Sequence, residues 1–383
     1  MAAPQIYPIV ELKDEQKSYI KAAVPLLESA GDKLTKAFYD YMLSHYPEVK
    51  VFFNEKNQAD LRQPKLLAFA LLAYAKNIDD ITPLSPFVAN IIDKHVSLQV
   101  KAEHYPTVGN SLITTMKSFL GEEIATPPFI EAWTAAYGNL AQILINAEFA
   151  KYQQQQWQGY KDFKVTRIVP ETEHIKSLYL APVDGTKIAQ PLPGQPLGFL
   201  FKVPGYEFEK TRNYTISQTP VGNEYRISVK KVDGGACSTY VHSLKEGDIV
   251  KVSPPNGHFV YKPESKKDVL IFCAGVAITP FVSIIESALK DGKSVSVYYS
   301  NKTEKERPFT QWFNDLKTQY PKFHLHEFFS DVNRMAAKDF DSIDLKDKDV
   351  YMLGPVSYMD FVSSQLSASG VEALVDNYYP QIE

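Results

Sequence analysis

Apolar residues recur at helical spacing through the first part of the chain. Three stretches each carry an apolar stripe whose members lie three or four positions apart, which is the period of an amphipathic helix. Prolines stand at the edges of such stretches, where they start helices or fill corners. The pattern predicts an all-helical domain over residues 1–152. The stripes are Leu34, Phe38 and Met42, then Leu67, Leu71 and Ala75, then Ile113, Met116 and Leu120, and the prolines are Pro47, Pro64, Pro83 and Pro106.

The pattern changes after the polar tract QQQQ at residues 153–156, which is either a linker or a helix end. Four later segments alternate apolar and polar residues or are rich in β-branched residues, as strands are. Gly and Pro punctuate them, so they predict an antiparallel β-barrel over residues 158–264. The segments are 163–169, 197–203, 225–232 and 248–253.

Residues 265–383 alternate between strand and helix patterns. VLIFCAG is typical of a buried strand, Thr279 and Pro280 of a helix N-cap and first turn, and SVSVYYS of a second strand. Two further strand candidates, FHLHEFF and VYMLGP, follow. We therefore expect a multi-domain chain that ends in an α/β domain, with a parallel sheet that binds a ligand at its strand ends.

Composition narrows the class of protein. The 383 residues suffice for two or three domains, and a hydrophobic content of 44% can fill several cores. The formal net charge is −4 without any long basic block, which argues against nucleic acid and anionic membrane as partners. Two cysteines cannot build a disulfide framework, and we find neither a signal peptide nor an apolar run of about 18 residues. We expect a cytoplasmic monomer that acts on small molecules.

The helical part contains a candidate ligand for haem iron. A helical domain that binds haem needs one histidine facing a flat apolar pocket, and the candidates are His45, His95 and His104. A lone histidine on a helix is more often a surface or core residue than a ligand. The context favours His95, which lies 32 residues after Gln63 and 42 residues after Phe53.

Five segments strengthen this interpretation: GDKLTKAFYDYML, PEVKVFFN, NQADLRQPKLLAFALLAYA, KHVSLQVKAEHYPTVG and EAWTAAYGNLAQILINAE. They resemble the globin domain of the flavohaemoglobin family. The resemblance implies that His95 is the metal ligand and holds the iron of haem b on its proximal side. It also implies that Phe53 wedges the haem and that Leu67 lies over the iron.

The same resemblance implies two polar pairs with catalytic roles. Tyr39 and Gln63 would lie on the distal side, where a tyrosine hydroxyl can donate to bound dioxygen. Tyr105 and Glu148 would surround the proximal imidazole, where a carboxylate raises its basicity. The competing interpretation is a helical bundle in which Tyr39 is a half-buried core residue.

Two motifs in the strand-rich part point to FAD. Arg212, Tyr214 and Thr215 belong to the run TRNYT, which is similar to the Arg-x-Tyr-Ser/Thr motif of the ferredoxin-reductase superfamily. An arginine presents planar donors to a pyrophosphate, and the resemblance implies that the tyrosine stacks on the isoalloxazine and that the hydroxyl residue bonds its edge. GGACSTYVH, which begins 22 residues after Arg212, resembles the family's phosphate loop, where glycines let the backbone approach an anion. The candidate contacts in this loop are Gly235, Ala236, Cys237 and Ser238.

Two further positions bear on the flavin. Lys94, beside His95, matches a lysine that reaches toward the flavin. Pro196 stands where the family usually has a tyrosine that contacts the flavin, so we expect altered flavin affinity or potential. The competing interpretation of the two motifs is a pair of unrelated turns in a β-barrel.

The segment AGVAITP occupies the place of the family's Gly-x-Gly-x-Thr-Pro loop. The resemblance makes Gly275, Thr279 and Pro280 candidates for binding NAD(P)H. Ala277 stands in place of the second glycine and Ile278 in place of the polar residue that follows. A methyl group at this position opposes the close approach of a phosphate, and glycine-only backbone dihedrals would be lost.

Other positions near the end of the chain depart from the family too. Leu353 replaces a cysteine that normally lies near the hydride-transfer site, Ser357 replaces a glycine, and Asn377 replaces an acidic residue. Tyr379 aligns with the aromatic residue that covers the flavin. Together these changes indicate either an unusual electron donor or a weakened reductase.

The resemblance covers almost the whole chain and implies a nitric oxide dioxygenase. Nitric oxide and O2 would become nitrate, with electrons passing from NAD(P)H through FAD to haem. The alternative is a haem and flavin redox or nitric oxide sensor with impaired reductase activity, whereas His95 and Phe53 argue against a reductase that has lost its haem. No acid or arginine for the ribose 2′ position stands out after SVSVYYSN, so both NADH and NADPH remain open.

Overall fold

The computed structural model describes residues 2–53, 62–371 and 374–375. The chain divides into two compact units. The first unit comprises Met1–Gln158 together with Pro204–Thr211, and the second comprises Gly159–Val203 together with Arg212–Glu383.

The part of the first unit that the structure describes is helical, as predicted. Its α-helices are α1 (Asp14–Ala22), α2 (Val24–His45), α3 (Arg62–Lys76), α4 (Ser85–Ser97), α5 (Tyr105–Leu120) and α6 (Pro127–Gln154). The predicted stripe of Leu34, Phe38 and Met42 is buried on α2. A short 3-10 helix, Pro47–Phe52, leads to Phe53. Because α6 continues to Gln154, the glutamine tract marks a helix end.

Residues 204–211 pack within the helical unit although the chain on either side belongs to the second unit. The Lys50 ammonium lies 5.5 Å from the centre of the Phe208 ring. The Thr211 hydroxyl donates a hydrogen bond of 2.9 Å to the carbonyl of Val51. Both contacts fall on the 3-10 helix that precedes Phe53.

The first sheet of the second unit has six strands: β1 (Lys161–Pro170), β2 (Ile175–Pro182), β3 (Pro196–Phe201), β4 (Lys210–Thr215), β5 (Tyr225–Lys230) and β6 (Ile249–Val252). Their order is β4-β3-β6-β1-β2-β5. The pairings of β1 with β2, β1 with β6, β2 with β5 and β3 with β6 are antiparallel. An isolated antiparallel bridge between Ile216 and Ile227 joins the residue after β4 to the other edge strand, β5. A helix, α7 (Ala236–Ser243), follows β5.

The second sheet is parallel, with the order β11-β10-β7-β8-β9. Because all its strands are parallel, their carboxyl ends meet at one edge of the sheet. Three helices alternate with the strands along the chain. The elements are β7 (Asp268–Ala274), α8 (Thr279–Lys290), β8 (Val295–Asn301), α9 (Thr310–Gln319), β9 (Phe323–Phe329), β10 (Lys348–Leu353), α10 (Val356–Ala368) and β11 (Leu374–Val375).

The start of α8 differs from the prediction. Thr279 is the first residue of the helix and not its N-cap, because the 3-10 helix Gly275–Ile278 directly precedes it. Ile278 is the N-cap and already has helical φ and ψ, and no side chain caps the helix. Pro280 lies in the first turn, as predicted. Thr279 is thereby buried at the carboxyl end of β7.

Candidate functional site

The structure brings His95, Tyr105 and Glu148 together from three helices. Nδ1 of His95, in the last turn of α4, lies 2.7 Å from Oε1 of Glu148 on α6. The Tyr105 hydroxyl, at the start of α5, donates to the same oxygen at 2.6 Å and lies 3.2 Å from Nδ1. Glu148 is only 2% exposed, so these two neighbours satisfy a carboxylate that water hardly reaches.

Protonation at this cluster follows from its burial. Burial raises the pKa of Tyr105, and the neighbouring Glu148 carboxylate raises it further, so the phenol remains a donor. The Tyr137 hydroxyl donates to the Tyr105 carbonyl at 2.7 Å and fixes that turn of α5. Because the carboxylate accepts on Oε1, Nδ1 of His95 is set as the protonated ring nitrogen.

This donor set fits a haem group. The His95 side chain is 30% exposed, and its Nε2 makes no hydrogen bond to any residue in the described part of the chain. A metal-ligating histidine usually donates its second ring N–H to a carboxylate or carbonyl. His95 has that arrangement at Nδ1, and Nε2 is then the ring nitrogen that would bind a haem iron.

Tyr39, Phe53 and Leu67 belong to one apolar cluster. The Tyr39 and Phe53 rings meet edge to face with 5.5 Å between their centres. Burial raises the pKa of Tyr39, so its hydroxyl stays protonated and able to donate. Gln63 and Leu67 lie one turn apart on α3 and hence on the same face of the helix. Lys94 is half-buried beside His95 on α4.

A cleft of about 880 Å³ lies within the second unit, and both reductase motifs line it. Its size is in the range of small-molecule and cofactor sites. The flavin motif on β4 and the loops after β7 and β10 thus face one space. The sequence-predicted residues on its wall are Arg212, Tyr214, Thr215, Ser238, Gly275, Ala277, Thr279, Leu353 and Ser357.

The flavin side of the cleft fits a large cofactor. The Tyr214 ring packs edge to face on Phe199, with 5.6 Å between ring centres. The amide of Asn213 is buried on the cleft wall, and neither of its polar atoms has a hydrogen-bond partner among the described residues. An unpartnered buried amide lowers the stability of the fold, and hydrogen bonds to a ligand's polar atoms would remove that cost.

The predicted phosphate loop contributes one side chain to the cleft. Gly234 has a φ of 74°, a left-handed conformation that glycine adopts without strain. Ser238, on α7, lines the cleft, whereas Gly235, Ala236 and Cys237 are not on its wall. Cys237 is fully buried, so its side chain packs in the interior of the second unit.

The loop after β7 needs only one left-handed residue. Gly275 has a φ of 58°, whereas Ala277 lies in the 3-10 helix without a positive φ. The expected loss of glycine-only dihedrals at Ala277 is therefore wrong, because this loop coils into a helical turn. Ala277 does line the cleft. Ile278 and Pro280 are buried in the α/β core instead.

Three other predicted positions lie elsewhere. Pro196 is buried at the start of β3 and is not on the cleft wall, and a Cβ on Gly257 would lie 3.2 Å from its Cδ. Asn377 and Tyr379 lie outside the residues that the structure describes.

Sequence reasoning missed many residues of the cleft wall, and those with polar or charged side chains near the ends of the parallel strands include Ser300, Asn301, Lys302, Arg334 and Tyr358. The first three lie at or just after the end of β8, Arg334 follows β9 and Tyr358 follows β10. Their position after predicted strands was the available signal, since ligands bind at the carboxyl ends of parallel strands. None belongs to a motif that indicates which ligand it would bind.

Among the described residues, every helix is too short or too polar to cross a bilayer.

Family models match three parts of the chain. A globin model matches residues 36–144. An oxidoreductase FAD-binding domain matches residues 186–261, and an oxidoreductase NAD-binding domain matches residues 271–364. The chain is therefore an oxidoreductase with haem, FAD and a nicotinamide dinucleotide as cofactors.

Relatives and solved structures agree with these matches. The fold is similar to that of the flavohemoglobin from Malassezia yamatoensis, with a TM-score of 0.85 at 22% identity over 95% of this chain and 99% of that one. The FAD/NAD-binding domain of the Vibrio cholerae nitric oxide dioxygenase is 31% identical, with a TM-score of 0.52, and covers 56% of this chain and 98% of its own. The flavohemoprotein of Schizosaccharomyces pombe is 47% identical over 96% of this chain and 91% of that protein. That of Candida albicans is 46% identical over 98% of both chains, and with such relatives this chain belongs to the flavohaemoprotein family.

Proposed function

We propose that the protein is a nitric oxide dioxygenase that converts nitric oxide and O2 to nitrate with electrons from NAD(P)H. The observation that carries the proposal is the chain of hydrogen bonds from Tyr105 and His95 to the buried Glu148 carboxylate. A carboxylate at Nδ1 makes the imidazole a stronger electron donor. A globin that only stores oxygen has no need of this electron donation, whereas a globin that activates bound oxygen uses it.

When bound, FAD and haem would supply the redox chemistry, with electrons from the nicotinamide dinucleotide, and the protein would supply binding, orientation and a dry site. His95 would hold the iron, while Glu148 and Tyr105 fix the imidazole ring and its proton at Nδ1. Tyr39 offers a neutral hydroxyl donor, and Phe53 and Leu67 keep its surroundings apolar. Gln63 would be the second polar group of the distal side.

The reductase half has its own assignments. Arg212, Tyr214, Thr215 and Ser238 would hold FAD, and Gly275 and Thr279 would contact the dinucleotide, because all six line one cleft. We assign haem to residues 1–152, FAD to residues 158–264 and NAD(P)H to residues 265–383. The chain would act as a cytoplasmic monomer on O2 and nitric oxide.

The test uses purified protein loaded with haem and FAD. Without oxygen, NADH or NADPH should bleach the flavin and then shift the Soret band to the ferrous form. On admission of O2 and nitric oxide, nitrate should accumulate in a one-to-one ratio with nitric oxide consumed. The His95→Ala variant should lose the Soret band, whereas His45→Ala, at the exposed end of α2, should keep it.

Two outcomes count against the proposal. A flavin that stays oxidised over minutes with excess NADH and NADPH favours a redox or nitric oxide sensor. A Soret band that survives in His95→Ala removes this histidine from its role as iron ligand.

A further inference from the structure

We propose that Ser300, Asn301 and Tyr358 bind the pyrophosphate of the nicotinamide dinucleotide through side-chain hydrogen bonds. This inference rests on the proposed function and names the residues by which the same site recognises its electron donor. All three side chains line the cleft. Each has buried polar atoms without a hydrogen-bond partner among the described residues.

The three residues gather at the ligand-binding edge of the parallel sheet. Ser300 and Asn301 end β8, and Ser300 pairs in register with Ala274, the last residue of β7. Tyr358, in the first turn of α10, packs on the turn after β10. A Cβ on Gly354 would lie 2.7 Å from Cδ1 of Tyr358 and 3.2 Å from the Cβ of Ala274. The side chains therefore surround the carboxyl ends of β7, β8 and β10.

None of these polar atoms reaches hydrogen-bond geometry with a residue in the described part of the chain. Asn301 is 5% exposed, and the neighbouring Tyr299 hydroxyl donates instead to the Gly275 carbonyl at 2.8 Å. The hydroxyls of Ser300 and Tyr358 face each other without reaching hydrogen-bond geometry. Burial raises the pKa of Tyr358, so the phenol keeps its proton and can donate. Buried donors without acceptors are costly, and an incoming oxygen anion would satisfy them.

Charge at this edge favours an anionic ligand. Lys302 and Arg334 line the cleft beside the ends of β8 and β9, and neither makes an ion pair with any residue that the structure describes. The acids on the cleft wall are Asp233, in the loop before α7, and Glu306, which lies 4.0 Å from the Lys230 ammonium. A phosphate is therefore preferred to an uncharged group near β8.

Ala277 explains why side chains, and not the backbone N–H groups of the loop, would bind the phosphates. In dinucleotide-binding loops, glycine lets backbone N–H groups approach the phosphates closely. Here Ala277 stands in place of that glycine and lines the cleft. Hydroxyl and amide side chains at the end of β8 and the start of α10 can bind a phosphate held farther from the loop.

The test measures the binding of ADP-ribose, which carries the pyrophosphate but no reducible ring, to the haem- and FAD-loaded protein by titration calorimetry. We expect Tyr358→Phe and Ser300→Ala each to raise its Kd about tenfold, equivalent to about 1.4 kcal/mol. Asn301→Asp keeps the shape but adds a negative charge, and should weaken binding further. Adenosine, measured by displacement, should bind all variants equally. Tyr298→Phe, on β8 but off the cleft wall, is the matched control and should bind ADP-ribose as the wild type does.

Two results overturn the inference: an unchanged Kd for ADP-ribose in all three variants, or an equal rise for ADP-ribose and adenosine. The second would mean that these residues contact the nucleoside and not the phosphates. Wild-type protein that binds ADP-ribose but whose flavin NADH does not reduce would refute the proposed function alone. The flavin absorbance and the melting temperature of each variant show whether it folds. If another variant does not fold, the Kd of Asn301→Asp for ADP-ribose decides the inference, because this change preserves side-chain volume.

Discussion

At the scale of single residues, the buried carboxylate of Glu148 determines how His95 can act. It accepts hydrogen bonds from both the imidazole and the Tyr105 phenol, at 2.7 and 2.6 Å. Glutamine at this position has the same shape but no charge. The variant therefore separates the electrostatic part of the interaction from the packing part.

We predict that Glu148→Gln keeps its Soret band but consumes nitric oxide about 10- to 100-fold more slowly, the usual cost of losing a partner of a metal-bound histidine. The loss arises because a neutral amide no longer strengthens electron donation by the imidazole. Glu131→Gln, the same change on the exposed face of α6, is the control and should match the wild type. Equal rates for the two variants would show that the carboxylate charge has no part in turnover.

At the scale of elements, α5 and α6 fit closely at Gly109. A Cβ added there would lie 2.5 Å from Cε1 of Tyr137, whose hydroxyl holds the Tyr105 carbonyl. The contact between the two helices therefore also positions Tyr105, whose phenol donates a hydrogen bond to Glu148. Helix packing is therefore coupled at this point to the cluster of His95, Tyr105 and Glu148.

We predict that Gly109→Ala destabilises the protein by about 1–3 kcal/mol, as overpacking typically does. It should also slow nitric oxide consumption, because a displaced Tyr137 releases Tyr105. Gly31→Ala is the control, since its Cβ would lie 3.4 Å from that of Ala68, an ordinary contact. Thermal unfolding followed at the Soret band measures the effect, and equal melting temperatures in the two variants would contradict the prediction.

The sequence predicted elements well where burial sets the pattern and poorly where function does. Apolar patterns identified α2, α3 and α5 in the first unit and strands such as β7 and β8. They missed β2, and they missed β4 because KTRNYT is a polar segment whose residues 212–215 line the cleft. Thr279 was misplaced as an N-cap because a 3-10 turn before a helix leaves no sequence pattern of its own.

The residues of the candidate site likewise fall into those that the sequence predicted and those that only the fold brings together. His95, Tyr105 and Glu148 were predicted from family motifs and meet in the structure. Asn301 and Tyr358 were not, because 57 residues separate them in sequence and only the parallel sheet brings them together.

At the scale of the whole molecule, the chain returns to the helical unit after entering the strand-rich region. Residues 204–211 pack there, and Thr211 donates to the Val51 carbonyl. A fragment that stops at residue 152 therefore lacks part of the packing of the haem-binding unit.

We predict that Thr211→Val lowers the melting temperature followed at the Soret band by a few degrees. Valine keeps the shape but leaves the Val51 carbonyl without this donor, a cost of about 1–2 kcal/mol. Thr318→Val, exposed on α9, should leave the temperature unchanged. Haem release at the same temperature in both variants would mean that residues 204–211 add nothing to the unit's stability.

The burial of both cysteines has a consequence for a protein that handles nitric oxide. Cys237 and Cys273 are the chain's two cysteines, and each is fully buried. Burial also raises the pKa of Cys273, which removes the thiolate that oxidants attack. With leucine at position 353, no cysteine is among the residues that line the cleft of the second unit either. S-nitrosation and sulfenic acid formation therefore have no accessible target while the protein remains folded.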